Sequence, residues 1–170
     1  ETAPGQSSPP PWKNDPYLPN IGMMFPRPVP VRSAAHPEID RRYWFDADPA
    51  MLEVARKLDA VELQACAPAG KCLTHKPRLV VGGNGVSGQA FVDNAAFREY
   101  TFKTFEANVL DMETAAMAMV ATSNGVPFIA FRSLSDLAGG GEGANEMATF
   151  MAVAADNSAR VLLAFLAAWK

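Results

Sequence analysis

Val109-Leu110-Asp111-Met112-Glu113-Thr114-Ala115-Ala116 is followed closely by Pro127-Phe128-Ile129-Ala130-Phe131-Arg132-Ser133-Leu134-Ser135-Asp136. Each stretch is an apolar run that ends in carboxylates. The first passes directly into a helical pattern, and the second passes into the glycine-rich Gly139-Gly140-Gly141. In α/β proteins, ligand chemistry gathers at the carboxyl ends of strands, where loops and helix N-termini present polar groups to a crevice. Two neighbouring strand ends that each carry a carboxylate suit one acid or base and one ligand-positioning group.

Working outward, the rest of the chain divides near residue 45. Nine of the fourteen prolines lie in the first thirty residues. Proline fixes φ and removes a donor, so residues 1–45 are expected as an extended arm or long loop. Trp12, Tyr17, Leu18, Ile21, Met23, Met24 and Phe25 give that arm apolar side chains to bury on the body or on a partner. From residue 46 to 170 the pattern becomes regular. Asp48-Pro49 starts a helix running to about Leu63. Arg78 to Gly82 reads as a strand, Asn94 to Phe105 as a helix, and Asn108 to Leu110 as a short strand. Asp111 to Ser123 is a helix closed by Asn124-Gly125. Pro127 to Arg132 is a buried strand, and about Asn145 to Trp169 a long helix. On that last helix Phe150, Val153, Asn157, Val161, Ala164 and Ala168 share a face.

Composition narrows the classes. The chain has 170 residues, is 49% hydrophobic and carries a net charge of −3 with the signs mixed, which suits one globular domain and gives no basic block for nucleic acid. The longest apolar run, Val161 to Trp169, is too short to span a bilayer. No signal peptide is visible, since Glu1 opens a polar, proline-rich stretch; a start at a processing site, with the leader already removed, is the other reading. Cys66 and Cys72 flank Ala67-Pro68-Ala69-Gly70-Lys71, a spacing that permits a small-loop disulfide and equally two free thiols. With the bridge, the compartment is periplasmic or extracellular; without it, cytoplasmic. His36 and His75 with two cysteines make no metal site, and no cofactor is expected.

Asp111-Met112-Glu113-Thr114-Ala115-Ala116, Arg132-Ser133-Leu134-Ser135-Asp136 and, upstream, Val86-Ser87-Gly88-Gln89-Ala90-Phe91-Val92 together resemble the nucleoside phosphorylase and methylthioadenosine/adenosylhomocysteine nucleosidase superfamily. The order of the three motifs is also similar, over roughly residues 46 to 170, and the Arg-Ser-Leu-Ser-Asp segment looks more like the purine and nucleosidase branches. Asp136-Leu137-Ala138-Gly139-Gly140-Gly141 also resembles plant storage-protein relatives. The resemblance implies the C-terminal part of a three-layer α/β/α sandwich with a central mixed sheet. On that reading the family's N-terminal portion has no counterpart here, so a second polypeptide is expected to complete the sheet, in a homo-oligomer of such pairs.

The resemblance also implies a chemistry, the cleavage of the N-glycosidic bond of a purine nucleoside. Asp136 would protonate the base at N7, with Ser135 orienting it; such an acid needs burial to stay protonated near neutral pH. Glu113 would hold the ribose hydroxyls, Met112 would pack on the sugar, Phe91 would stack on the base and Val92 would meet its edge through the backbone. Arg132 would brace the surrounding loop. Plainer readings stand beside these: Ser135 and Asp136 as turn residues, Asp111 and Glu113 as charges at a helix N-terminus, Phe91 and Met112 as core. Ser87 and Gly88 are read as shaping their loop. Inorganic phosphate would be co-substrate in a phosphorylase, and these residues do not choose between water and phosphate. A non-catalytic nucleoside-binding, storage or lectin-like protein is the rival.

Overall fold

A computed structural model of the chain describes residues 26–58, 61–140 and 146–169. The N-terminal part of the proline-rich stretch and Gly141 therefore lie outside the described residues. Eight elements follow in order: β1 (Val29–Val31), β2 (Asp40–Arg42), α1 (Pro49–Arg56), β3 (Asn84–Ser87), α2 (Ala95–Phe105), β4 (Ala107–Asp111), α3 (Thr114–Ser123) and α4 (Met147–Ala168). The class is mixed α/β, as the alternating pattern predicts.

The organising unit is β3–α2–β4, a parallel pair of strands joined by a crossover helix. Asn94 caps α2, its side-chain oxygen accepting from the Phe97 amide at 2.8 Å. Phe105 and Ala107, on either side of the one-residue α2–β4 connection, are buried against Tyr43, Val86 and Tyr100. Trp44 and Tyr100 meet the Phe105 ring edge-on, with centroids 6.4 and 6.0 Å away. α3 packs on β3 and β1, and α2 on β4.

The first corrections concern the strands. Arg78 to Gly82, expected as a strand, forms no ladder, and Val80 is 67% exposed. Gly82 and Gly83 sit at φ of 101° and 87°, which turns the chain before pairing begins at Asn84. The strand is Asn-Gly-Val-Ser, a poor strand former by composition, held because β4 lies beside it and because the Asn84 amide donates to Phe105 O at 3.0 Å. Pro127 to Arg132 is neither buried nor part of a ladder among the described residues. It is tied instead by Asp48 N–H to Phe128 O (2.7 Å) and by Phe131 against Phe165, with centroids 5.0 Å apart. In the region expected as an arm, β1 and β2 form an antiparallel pair, with Val31 buried.

α2 and α4 lie within about two residues of the expected spans, α3 ends at Ser123 as expected but begins at Thr114 rather than Asp111, and α1 ends early. Asp48 caps α1, accepting from the Met51 amide at 2.9 Å with Pro49 behind it. α1 stops at Arg56 rather than near Leu63, because the chain at 61–65 is claimed by α4. The Asn157 side chain accepts from Gln64 N–H at 2.7 Å and donates to Gln64 O at 2.9 Å, as a neighbouring strand would. α4 buries Phe150, Val153, Ala154, Asn157, Val161 and Phe165, and it packs against α1; Ala168, expected on that face, is exposed. At 22 residues the whole helix is, by length and composition alone, long and apolar enough to cross a membrane, unlike the nine-residue run taken by itself. Here its buried stripe serves the domain core.

Cys66 and Cys72 are joined in a disulfide. Beside it Ala67 N–H donates to Lys71 O, and Lys71 pairs with Glu146 at 3.0 Å and lies 5.5 Å from the Phe150 ring centroid. This small loop is thus held to the beginning of α4.

Replacing Asn157 with Leu keeps the branching of the side chain but strips both bonds from Gln64. A loss of about 1–3 kcal/mol in unfolding free energy is expected from urea denaturation. A change below about 0.5 kcal/mol would show that the 61–65 segment does not depend on this side chain.

Candidate functional site

β3 and β4 end together. Ser87 and Asp111 are the last register pair, and Gly88 N–H donates to Asp111 O at 3.0 Å. The Asp111 side chain sits where these two strand ends meet the start of α3. The Ser87 and Thr114 hydroxyls both donate to it in short hydrogen bonds, and the amides of Thr114 (3.2 Å) and Glu113 (3.3 Å) point at Oδ1. Arg132 Nε reaches Oδ2 at 2.8 Å. Ser87 Oγ also accepts from the Ala115 amide at 2.9 Å, so it bridges β3 to α3.

Burial alone would push the Asp111 carboxyl up. The hydrogen bonds from the Ser87 and Thr114 side chains and the Thr114 amide, with the Arg132 charge, outweigh it and hold the group below its ordinary value. Asp111, not Glu113, caps α3, and the Glu113 carboxylate makes no bond to its own helix. It turns to Arg132, whose Nη2 donates to Oε2 at 3.1 Å, while Arg132 Nε also meets Thr114 Oγ1 at 2.8 Å. Exposure rises along this chain of contacts: the side chains of Asp111, Arg132 and Glu113 are 11%, 35% and 58% exposed.

Three residues past Arg132, Ser135 Oγ donates to Asp136 Oδ2 at 2.8 Å, with both residues half-buried. The loop beyond is pinned to the first turn of α2. Gly139 N–H donates to Asp93 Oδ1 at 2.8 Å, and Arg98 Nη1 to Ala138 O at 2.5 Å. Gly139 has φ of 62°, and a Cβ there would lie 2.2 Å from Ala95 N. Only glycine permits that approach, so the second glycine run acts here as a close-packing point. The Asp136 loop is thereby tied to the segment directly after Phe91 and Val92. Phe91 is 55% exposed and Met112 44% exposed, so neither is core; Val92 is half-buried.

The geometry therefore gathers Met112, Glu113 and Arg132 around one strand end, and sets Ser135 and Asp136 on a loop fastened beside Phe91 and Val92. Asp111, Ser87 and Thr114 enter as members that the sequence reading gave only capping or loop roles. The Asp-x-x-Thr spacing at a helix start was the available signal for the first and last. Ser87 carries no such signal, since its partners come from 24 and 28 residues away. Among the described residues, no three His, Cys, Asp or Glu side chains converge as metal ligands.

This arrangement can be set beside known proteins. The family model described as Phosphorylase superfamily matches residues 8–167. The chain belongs to this superfamily. It is 45% identical over 60 residues to a 5'-methylthioadenosine/S-adenosylhomocysteine nucleosidase of Treponema pallidum, covering 35% of this chain and 22% of that protein. It is 29% identical over 130 residues to the nucleosidase of the same name from Mycobacterium bovis, covering 76% of this chain and 50% of that protein. Bark storage protein A of Populus deltoides is 27% identical over 96 residues, covering 56% of this chain and 28% of that one. This superfamily chain thus spans between about a fifth and a half of the length of these relatives. No solved structure matches it.

Asp111 gives a test of the network. Its folded carboxyl is held below the ordinary value, so its stabilising contribution is complete above the unfolded value of about 4 and is lost as pH falls from there through the folded one. Denaturation of the wild type and Asp111→Asn across pH is expected to show a stability gap at pH 6–7 that closes steadily below about pH 4. A gap that is constant with pH would mean that the charge of Asp111 contributes nothing to folding.

Proposed function

We propose that the protein cleaves the N-glycosidic bond of a purine nucleoside, with Asp136 as general acid, Ser135 as its orienting partner and Glu113 as ligand of the ribose hydroxyls. The observation that carries this reading is Glu113. It is an exposed carboxylate two residues past the end of β4, unused by its helix and held by Arg132. The bond from Arg132 engages Oε2, so acceptor capacity remains for two sugar hydroxyls. Negative charge beside the sugar favours the positive charge that grows at C1′ as the bond to N9 breaks.

In the proposed reaction the C1′–N9 electron pair leaves with the base. Asp136 passes its proton to N7, water adds to C1′ and releases a proton to solvent, and solvent reprotonates Asp136. Phe91, exposed beside the Asp136 loop, offers a face for the base, Val92 offers backbone groups to its edge, and Met112 an apolar surface for the sugar. Hydrolysis rather than phosphorolysis is favoured by the nucleosidase names of several relatives. The likeness to a bark storage protein supports a second reading, a non-catalytic nucleoside binder.

Adenine release from methylthioadenosine, with and without phosphate, separates these. For the enzyme, Asp136→Asn is expected to lower kcat about 10²–10⁴-fold with KM little changed. Glu113→Gln is expected to lower kcat/KM by at least about 10-fold. Strict dependence on phosphate would make the protein a phosphorylase. A wild type that binds nucleoside without turnover would favour the storage-like reading.

We also propose that further polypeptide, in the same chain or as a separate subunit, extends the β3–β4 sheet. Two parallel strands make a marginal sheet, and the apolar Pro127–Phe131 run, with the composition of a strand, forms no ladder among the described residues. Native mass measured under non-reducing conditions is expected to exceed that of these 170 residues, through a longer chain, a second subunit or an oligomer of such pairs. A folded monomer of this chain alone would overturn the idea.

A further inference from the structure

The reading of Glu113 as ribose ligand, on which this inference rests, requires a flexible and largely exposed side chain to hold one orientation. Ordering such a side chain costs up to about 2 kcal/mol unless its surroundings are already fixed. Glu113 is tied by one group, the Arg132 guanidinium, and that group is itself oriented from behind. The Nε edge of Arg132 is occupied by Asp111 Oδ2 and Thr114 Oγ1, both at 2.8 Å, which leaves Nη2 aimed at Glu113. Asp111 in turn is locked by Ser87 from β3 and by Thr114 from α3. A planar guanidinium held on one edge presents its other nitrogen in a fixed direction, as a lysine ammonium would not.

The geometry points to Asp111 as a positioning residue: it orients Arg132, which fixes Glu113 against the ribose diol, so that Asp111 sets the preference for ribonucleosides over 2′-deoxyribonucleosides. A site built to bond a hydroxyl discriminates against the analogue lacking it only while its own polar groups are held in place. Asp111 never meets the substrate on this account. Its capping of α3 is a separate duty, and Asn performs it nearly as well as Asp. Asn at 111 would, however, set an amide donor or a neutral oxygen against Arg132 in place of a charge.

Asp111→Asn therefore separates the two duties. In the native protein it is expected to reduce the ratio of kcat/KM for methylthioadenosine to that for its 2′-deoxy counterpart by about 10-fold or more. The double variant with Glu113→Gln is expected to lose no more than Glu113→Gln alone, as residues acting through one path do. Arg132→Lys, which keeps the charge and loses the fork, is expected to lower the same ratio, and it carries the test should Asp111→Asn fail to fold. A ratio unchanged in Asp111→Asn, or losses that multiply independently with Glu113→Gln, would overturn the inference while leaving the nucleosidase reading intact. A wild type that cleaves neither nucleoside would overturn both.

Discussion

A carboxylate largely removed from water at the meeting of two strands and a helix must be answered by donors, or the junction does not form. Asp111 is that group. Ser87 answers from the end of β3, Thr114 and the amide of Glu113 from the start of α3, and Arg132 from the segment that follows α3. The donors come from three stretches of chain, so one side chain fixes the relative placement of all three. The exposed carboxylate of Glu113 inherits its position from this arrangement rather than from its own helix.

A second constraint holds the 61–73 segment to α4. Asn157 presents a side-chain amide to the backbone of Gln64 and replaces the neighbour that an extended segment otherwise needs. With the Cys66–Cys72 bridge and the Lys71–Glu146 pair, it fastens the 61–73 segment along the N-terminal half of α4. α4 then presents Phe165 to Phe131, which supports the segment bearing Arg132. The route from core to site runs through one aromatic contact and one residue of chain.

Helix starts were legible in the sequence because their signals are local: Asp48-Pro49 and Asn94 each place an acceptor over amides three residues ahead. The strands were less legible. Arg78 to Gly82 has the composition of a strand but is turned aside by two left-handed glycines, and Asn84 to Ser87 lacks the composition but has the neighbour. Strand formation is a property of a pair, and composition describes only one member. The candidate site followed the same rule. Glu113, Arg132, Ser135 and Asp136 stood out as polar residues ending apolar runs, whereas Ser87 gave no hint, its partners lying beyond any local window.

Residue types at short spacing were enough to set the caps of α1 and α2, the α/β class, the superfamily motifs and the carboxylates that end the two apolar runs. Tertiary structure alone decided that Ser87 and Arg132 meet at Asp111, that Arg132 joins Asp111 to Glu113, and that Gly139 packs against Ala95 to tie the Asp136 loop to α2. Those outcomes depend on which groups from distant segments arrive within hydrogen-bonding or van der Waals reach. Only the packed chain sets that distance.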